Sequence, residues 1–180
     1  MTRDDARHPR RVPVSGPSVP ARPEARAWWA RLWARLFGPR PAAVCSPELC
    51  AVLRAGEGEA RRLGHGWIGT EHLLLGLLGA PHSRGGAALA ALGCPDLSTA
   101  RGVVAARTGA GRASGGHLPL TPRARRVLAA ARPADDADLS PPDSGDLLVA
   151  LAGRGGLATG LLAEWVIAAA VTTGPAWRRG

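Results

Sequence analysis

The sequence predicts an all-α fold: two four-helix units, eight helices in all, related by a pseudo-two-fold and preceded by a disordered tail. Three observations carry this. Apolar residues recur at helical spacing between short breaks, and most breaks end in a capping residue. Five of the six residues from Leu73 to Leu78 are Leu, so one helix is apolar on nearly every side and should lie centrally. The second half repeats the first at a spacing of about 75 residues, and one unit alone could not bury its own apolar faces.

Residues 1–44 form the tail. Its first 23 residues are rich in Arg and Pro without periodicity and are expected to be disordered. Arg10-Arg11 is not followed by an apolar stretch, so it is not a secretion signal. Residues 24–37 read as a short amphipathic helix. Trp29, Leu32, Trp33, Leu36 and Phe37 share one face, Arg31 and Arg35 flank it, and Gly38-Pro39 ends it. Such a helix could pack on the domain, dock a partner or lie on a membrane surface.

The folded region is expected over 45–180, with one repeat at about 45–110 and a degenerate one at about 117–172. Ser46-Pro47-Glu48 supplies a cap, a proline at the first helical position and a first-turn acid, opening a helix over 47–63. Gly56 and Gly58 weaken it, each by about 1 kcal/mol relative to Ala. Gly64 suits the left-handed position past the helix end. Thr70 stands where an N-cap is expected for the Leu-rich helix over 71–79, and Gly76 permits a close helix crossing. Pro81 breaks the chain before a helix over 84–92. Asp96 or Ser98 starts the next, which runs to about Arg107. Residues 109–116 form a Gly-rich loop with little side chain to pack. Thr121-Pro122 repeats the opening signal for a helix to about 132. An acidic turn follows at 135–138. Residues 143–151, 157–162 and 164–171 then read as three helical segments.

Composition excludes several chemistries. All 23 basic residues are Arg, so no P-loop and no Schiff-base lysine can form. The net charge of +9 is uneven: the tail holds 9 Arg against 3 acids, the remainder 14 against 11. The folded part lacks the charge of a nucleic-acid binder, and no base-stacking platform accompanies the basic tail. Three Cys, an odd count without a secretory signal, point to reduced thiols and a cytoplasmic setting. Cys45 and Cys50 have no second pair to complete a metal site, and no cofactor motif is present.

The repeat has matching signatures. Ser46-Pro47 matches Thr121-Pro122, and residues 70–77 match 144–151. The stretch Glu59-Ala-Arg-Arg-Leu-Gly-His-Gly-Trp-Ile-Gly-Thr-Glu-His-Leu-Leu-Leu-Gly-Leu-Leu78, together with Leu118-Pro-Leu-Thr-Pro-Arg-Ala-Arg-Arg-Val-Leu128, resembles the Clp N-terminal repeat domain of ClpA- and ClpC-type unfoldases. The resemblance implies an eight-helix double repeat without catalysis of its own. It implies capture of substrates and adaptor proteins for a ClpC-type unfoldase. No ATPase module follows the repeats here, so a free-standing member is expected.

The resemblance also implies a phosphoarginine site. Carried over, Glu71 would take the guanidinium and Ser46, at the start of the repeat's first helix, the phosphate. Thr121 matches that hydroxyl in the second repeat, but Gly145 stands where its carboxylate should be, with Asp146 one residue displaced. One site is expected where an intact relative has two. Glu71 is equally a first-turn acid that favours a helix dipole by about 0.3–1 kcal/mol. His65 and His72 read as hydrogen-bonded structural histidines, since no nucleophile stands at a useful spacing. Trp67 either anchors a partner or closes the core. The competing reading is a membrane-peripheral protein anchored by residues 24–37.

Overall fold

The structure, a computed structural model, describes residues 45–112, 116–131, 140–154 and 156–173. The tail with its amphipathic stretch at 24–37, and the acidic turn at 135–138, lie outside the described residues.

Seven helices and no strand occur among the described residues: α1 Pro47–Arg62, α2 Thr70–Leu78, α3 Arg84–Ala91, α4 Leu97–Thr108, α5 Pro122–Ala130, α6 Ser144–Gly153 and α7 Leu157–Thr173. The expected class holds. The count differs because the segments read at 157–162 and 164–171 are one continuous helix. The single residue between them, Ala163, is a strong helix former and cannot interrupt the ladder. Among the described residues no single helix is long and apolar enough to cross a membrane.

Leu49, Leu53, Leu73, Leu74, Leu75 and Leu77 are fully buried with Leu89, Leu128, Leu147, Leu151 and Leu161, so both repeats share one core. α2 is its centre, packing against α1, α3, α4, α5, α6 and α7. Six of its eight buried residues from Thr70 to Leu77 are apolar or small enough for that place, and the two exceptions, Glu71 and His72, occupy its first turn. α1 and α2 cross through two glycines. A side chain on Gly76 would lie 2.4 Å from the Val52 carbonyl, and one on Gly56 would lie 2.7 Å from the His72 carbonyl. Gly56, read as a weakness in α1, is what allows the crossing.

These contacts also fix direction. Val52 faces Gly76 while Gly56, further along α1, faces His72, so the two helices run antiparallel. Gly64, at φ 71°, makes the reversal. Its N–H donates to the Arg61 carbonyl at 3.0 Å and the His65 N–H to that of Ala60 at 2.9 Å, closing the helix end.

The two repeats interlock through a pair of equivalent hydrogen bonds. Ser46 N–H donates to the Pro142 carbonyl at 3.0 Å, and Thr121 N–H to the Ile68 carbonyl at 2.9 Å. Each repeat's first helix therefore starts against the turn that precedes the other repeat's second helix. Ile68 N–H donates back to Pro119, giving a short parallel bridge between Ile68 and Leu120.

Cys45 and Cys50 form a disulfide, against the expectation of reduced thiols; Cys94 is free. The cap places Cys45 just outside α1 and Cys50 one turn inside, 6.1 Å apart at Cα, within bridging distance. A count over the whole chain could not reveal that local approach.

Candidate functional site

Thr121 and Ser46 both cap their helices. Ser46 Oγ accepts from Leu49 N–H and Thr121 Oγ1 from Ala124 N–H, each at 3.1 Å. The sequence pairing of Ser46 with Glu71 does not survive the antiparallel packing. Ser46 lies ten residues before Gly56, about 15 Å along α1 from the crossing at His72, while Glu71 adjoins that crossing. Thr121 is the hydroxyl that the fold brings beside the turn leading into Glu71. The signal was present in the sequence: a short connection between consecutive helices makes them antiparallel neighbours and separates their N-termini.

Gly69, not Thr70, is the N-cap of α2. Two side chains require this. His72 Nδ1 accepts the Gly69 N–H at 2.8 Å, the returning half of a capping box with an imidazole in place of the usual acid, while Gly69 has no side chain to supply the other half. The Glu71 carboxylate folds back over Gly69, with Oε1 only 2.0 Å from where a Cβ would stand. Any side chain at 69 would displace it.

Glu71 is nine-tenths buried. Thr70 Oγ1 donates to Oε2 at a long 3.5 Å, and His72 Nδ1 stands 3.5 Å from Oε1. The second approach is not an ion pair. Burial, and then the neighbouring His65, lower the His72 pKa to about 4, so the ring is neutral. Its Nδ1 is moreover an acceptor from Gly69. Among the described residues, then, Glu71 has no cationic partner.

The histidines form one chain whose tautomers follow from its ends. Gly69 N–H can only donate, so His72 Nδ1 accepts. His72 Nε2–H then donates to His65 Nδ1 at 2.7 Å, and His65 Nε2–H donates to the Gly109 carbonyl at 3.0 Å. The structural role expected of both is met. The Gly-rich loop, expected to pack little, is held by its backbone: besides Gly109, the Gly111 N–H donates to the Leu63 carbonyl at 3.1 Å. Trp67 stacks on His65 with ring centroids 5.4 Å apart and planes 6° from parallel, leaving its outer face exposed.

The opposite junction is built on the same plan and filled by the chain itself. Asp143 N–H donates to Asp146 Oδ2 at 2.9 Å, as Gly69 does to His72. Asp146 is thus committed to capping. The space above Gly145 holds Arg84, whose Nε lies 3.2 Å from a would-be Cβ and whose guanidinium donates to Asp143 Oδ2 at 2.9 Å. Burial alone would raise the Asp143 carboxyl. The N–H groups of Asp146 and Gly145 and the Arg84 guanidinium outweigh it and hold the carboxyl below the usual range. Glu48 Oε1 accepts the Arg84 N–H at 2.7 Å and the Ser144 hydroxyl in a short contact. Sequence reading found Glu48 only as a first-turn acid and did not find Arg84, Asp143 or Ser144. Their association crosses 36 to 96 positions of chain.

Among the described residues no cluster of three or more His, Cys, Asp or Glu could hold a metal ion.

Residues 45–164 match the family described as Clp repeat (R) N-terminal domain. The chain is 41% identical over 78 residues to an ATP-dependent Clp protease ATP-binding subunit ClpA homolog of Trieres chinensis. It is 42% identical over 80 residues to a protein of the same description from Guillardia theta, and equally to the chloroplastic chaperone protein ClpC1 of Arabidopsis thaliana. Each similarity covers 43% of this chain but only 9%, 9% and 8% of the respective relative. With a helical double repeat whose halves interlock, and a match that takes in both halves, this chain belongs to the Clp repeat N-terminal domain family.

Proposed function

We propose that this protein is a non-catalytic binding module of Clp-dependent protein quality control, which recognises arginine-phosphorylated substrates or adaptors of a ClpC-type unfoldase. One observation carries the reading: Glu71, a nearly buried carboxylate without a cationic partner among the described residues, beside the start of α5. A carboxylate so placed suits a guanidinium, which can donate two parallel hydrogen bonds to it. The start of α5 suits the attached phosphate. It carries no first-turn acid, and the helix dipole favours an anion there. The ligand pair is thus Glu71 with Thr121, across the repeats. Ser46 belongs to the junction that Glu48 and Arg84 fill. Trp67, exposed beside the site, offers a flat apolar surface to residues flanking the phosphoarginine.

Calorimetric titration of the full chain with phosphoarginine tests this. One site is expected, with binding abolished in Glu71→Ala. Absence of binding in the unaltered protein, or unchanged binding in Glu71→Ala, overturns the reading.

A further inference from the structure

α7 extends beyond the core it helps to build. Its buried residues, Ala158, Leu161, Leu162 and Trp165, recur at helical spacing and end with Trp165. The helix continues to Thr173, yet none of the residues from Val166 to Thr172 is buried. Gly93, just past α3, meets this extension on one side, where an added Cβ would lie 2.7 Å from that of Ala169. The outer side carries a second apolar stripe. Ala163, Ile167, Ala170 and Val171 recur at helical spacing and are all exposed, Ile167 by 62% and Val171 by 77%. Scattered apolar residues are ordinary on a surface, but a contiguous stripe marks an interaction site. Val166, Ile167, Val171, Thr172 and Thr173 are also β-branched and weak helix formers, so these last turns need packing to hold them.

The same chain carries a matching face. The sequence pattern of residues 24–37 puts Trp29, Leu32, Trp33, Leu36 and Phe37 on one side of a helix. From Trp29 to Phe37 that face would run about 12 Å, and the uncovered turns from Val166 to Thr173 run about 11 Å, at about 1.5 Å per residue. The charges correspond as well. Arg26 falls on the tail face three residues before Trp29, as Glu164, the only ionisable residue of α7, stands three residues before Ile167. Glu164 is paired with Arg107 yet still half exposed.

Residues 38–44 can bridge the two. Cys45 adjoins Ser46, whose N–H bonds the Pro142 carbonyl just before α6. The Ser144 hydroxyl in turn accepts the Gly85 N–H, in the first turn of α3, at 2.8 Å. From there α3 leads over about 12 Å to Gly93 beside Ala169. The eight steps from Phe37 to Cys45 can extend to about 26–29 Å.

We propose that residues 24–37 form a helix that lies along the outer stripe of α7, with Trp29 and Trp33 against Ile167 and Val171. The tail is thereby latched to its own domain. Each apolar face leaves water by meeting the other, while Arg31 and Arg35 keep their charges at the solvent edge. The latch covers both faces within one molecule, so the protein is a monomer, and it does not depend on what Glu71 binds.

Amide hydrogen exchange of the full chain tests this, beside two double variants, Ile167→Asp with Val171→Asp and Trp29→Ser with Trp33→Ser. The substituted side chains are exposed or lie in the tail, and unchanged protection of α2 checks that each variant is folded. Amides of 24–37 should exchange at least about 10-fold faster once Ile167 and Val171 are replaced. Reciprocally, amides of 166–173 should exchange faster once Trp29 and Trp33 are replaced. Both effects should be independent of protein concentration. Exchange over 24–37 that is equally fast in the unaltered chain and the Ile167→Asp, Val171→Asp variant overturns the latch. So does protection that grows with concentration alongside a dimer in sedimentation, which would assign the stripe to a second copy. Protection of 24–37 that appears only on adding phosphatidylglycerol vesicles overturns it in favour of a membrane anchor.

Discussion

The backbone N–H of Thr121 donates to the carbonyl of Ile68 at 2.9 Å, so the second repeat's first helix begins three residues' distance from Glu71 in the first repeat. Ser46, its equivalent, makes the same bond to Pro142 instead. The two hydroxyls therefore do the same structural work in different surroundings. Ser46→Ala and Thr121→Ala should each cost about 1 kcal/mol of stability through the lost cap. Only Thr121→Ala should also weaken phosphoarginine. Paired denaturant melts and titrations check this; an equal loss of affinity in Ser46→Ala would contradict the crossed pairing.

Stability should fall on acidification because of the histidine chain. His72 has a folded pKa of about 4 against an ordinary value of 6.5. Below 6.5 the unfolded chain takes up a proton that the folded ring refuses until about pH 4. Stability is thus lost as pH falls through this window, by about 3 kcal/mol in all, and this contribution is flat above and below it. Urea midpoints between pH 7 and pH 4, with the His72 ring followed by NMR, measure it. A His72 resonance titrating near 6.5 would contradict the buried neutral chain.

The crossing of α1 and α2 predicts opposite effects for two glycines. Gly76→Ala puts a methyl group 2.4 Å from the Val52 carbonyl and 2.8 Å from the Gly56 nitrogen, both backbone atoms that cannot step aside. The helices must part, at about 1–3 kcal/mol. The better helix propensity of Ala offsets up to about 1 kcal/mol of that, so a net loss is expected. Gly58 meets nothing within 4 Å and is exposed, so Gly58→Ala should stabilise by about 0.5–1 kcal/mol. Thermal melts of the two variants decide.

Two ion pairs of similar geometry should differ in strength. Arg101 grips Glu59 with Nε and Nη2 at 2.5 and 2.9 Å, and Glu59 is buried. Arg101→Ala leaves that carboxylate short of donors and should cost about 2 kcal/mol. Arg107 and Glu164 are both substantially exposed. Arg107→Ala should cost under about 1 kcal/mol, since water and salt screen the pair. Chemical denaturation of both variants at two salt concentrations separates the cases.

Much of the fold was legible because it rests on local signals. Ser46-Pro47, Asp96, Thr121-Pro122 and Asp143 mark helix starts through side chains that bond within three residues. Gly64 and the Leu73–Leu78 run mark a reversal and a centre for equally local reasons. Of the proposed site, Glu71 and Thr121 stood out by motif, but Thr70 was read as the cap that Gly69 provides, because the carboxylate folded over Gly69 leaves no trace in residue order.

The sequence by itself determined the helical class, the double repeat, the near-absence of a second carboxylate and the family. Each follows from residue types at short spacings, or from the recurrence of those local patterns about 75 residues on. The tertiary structure alone decided which ends meet. Antiparallel packing of α1 on α2 carries Ser46 away from Glu71, and the interlocking bonds bring Thr121 to it. It also decided that Glu48 and Arg84 fill one junction while Arg123 stands without an ion-pair partner among the described residues at the other. The physical reason is that a charge acquires its role from what lies within a few ångströms of it in space, and those neighbours come from the other repeat.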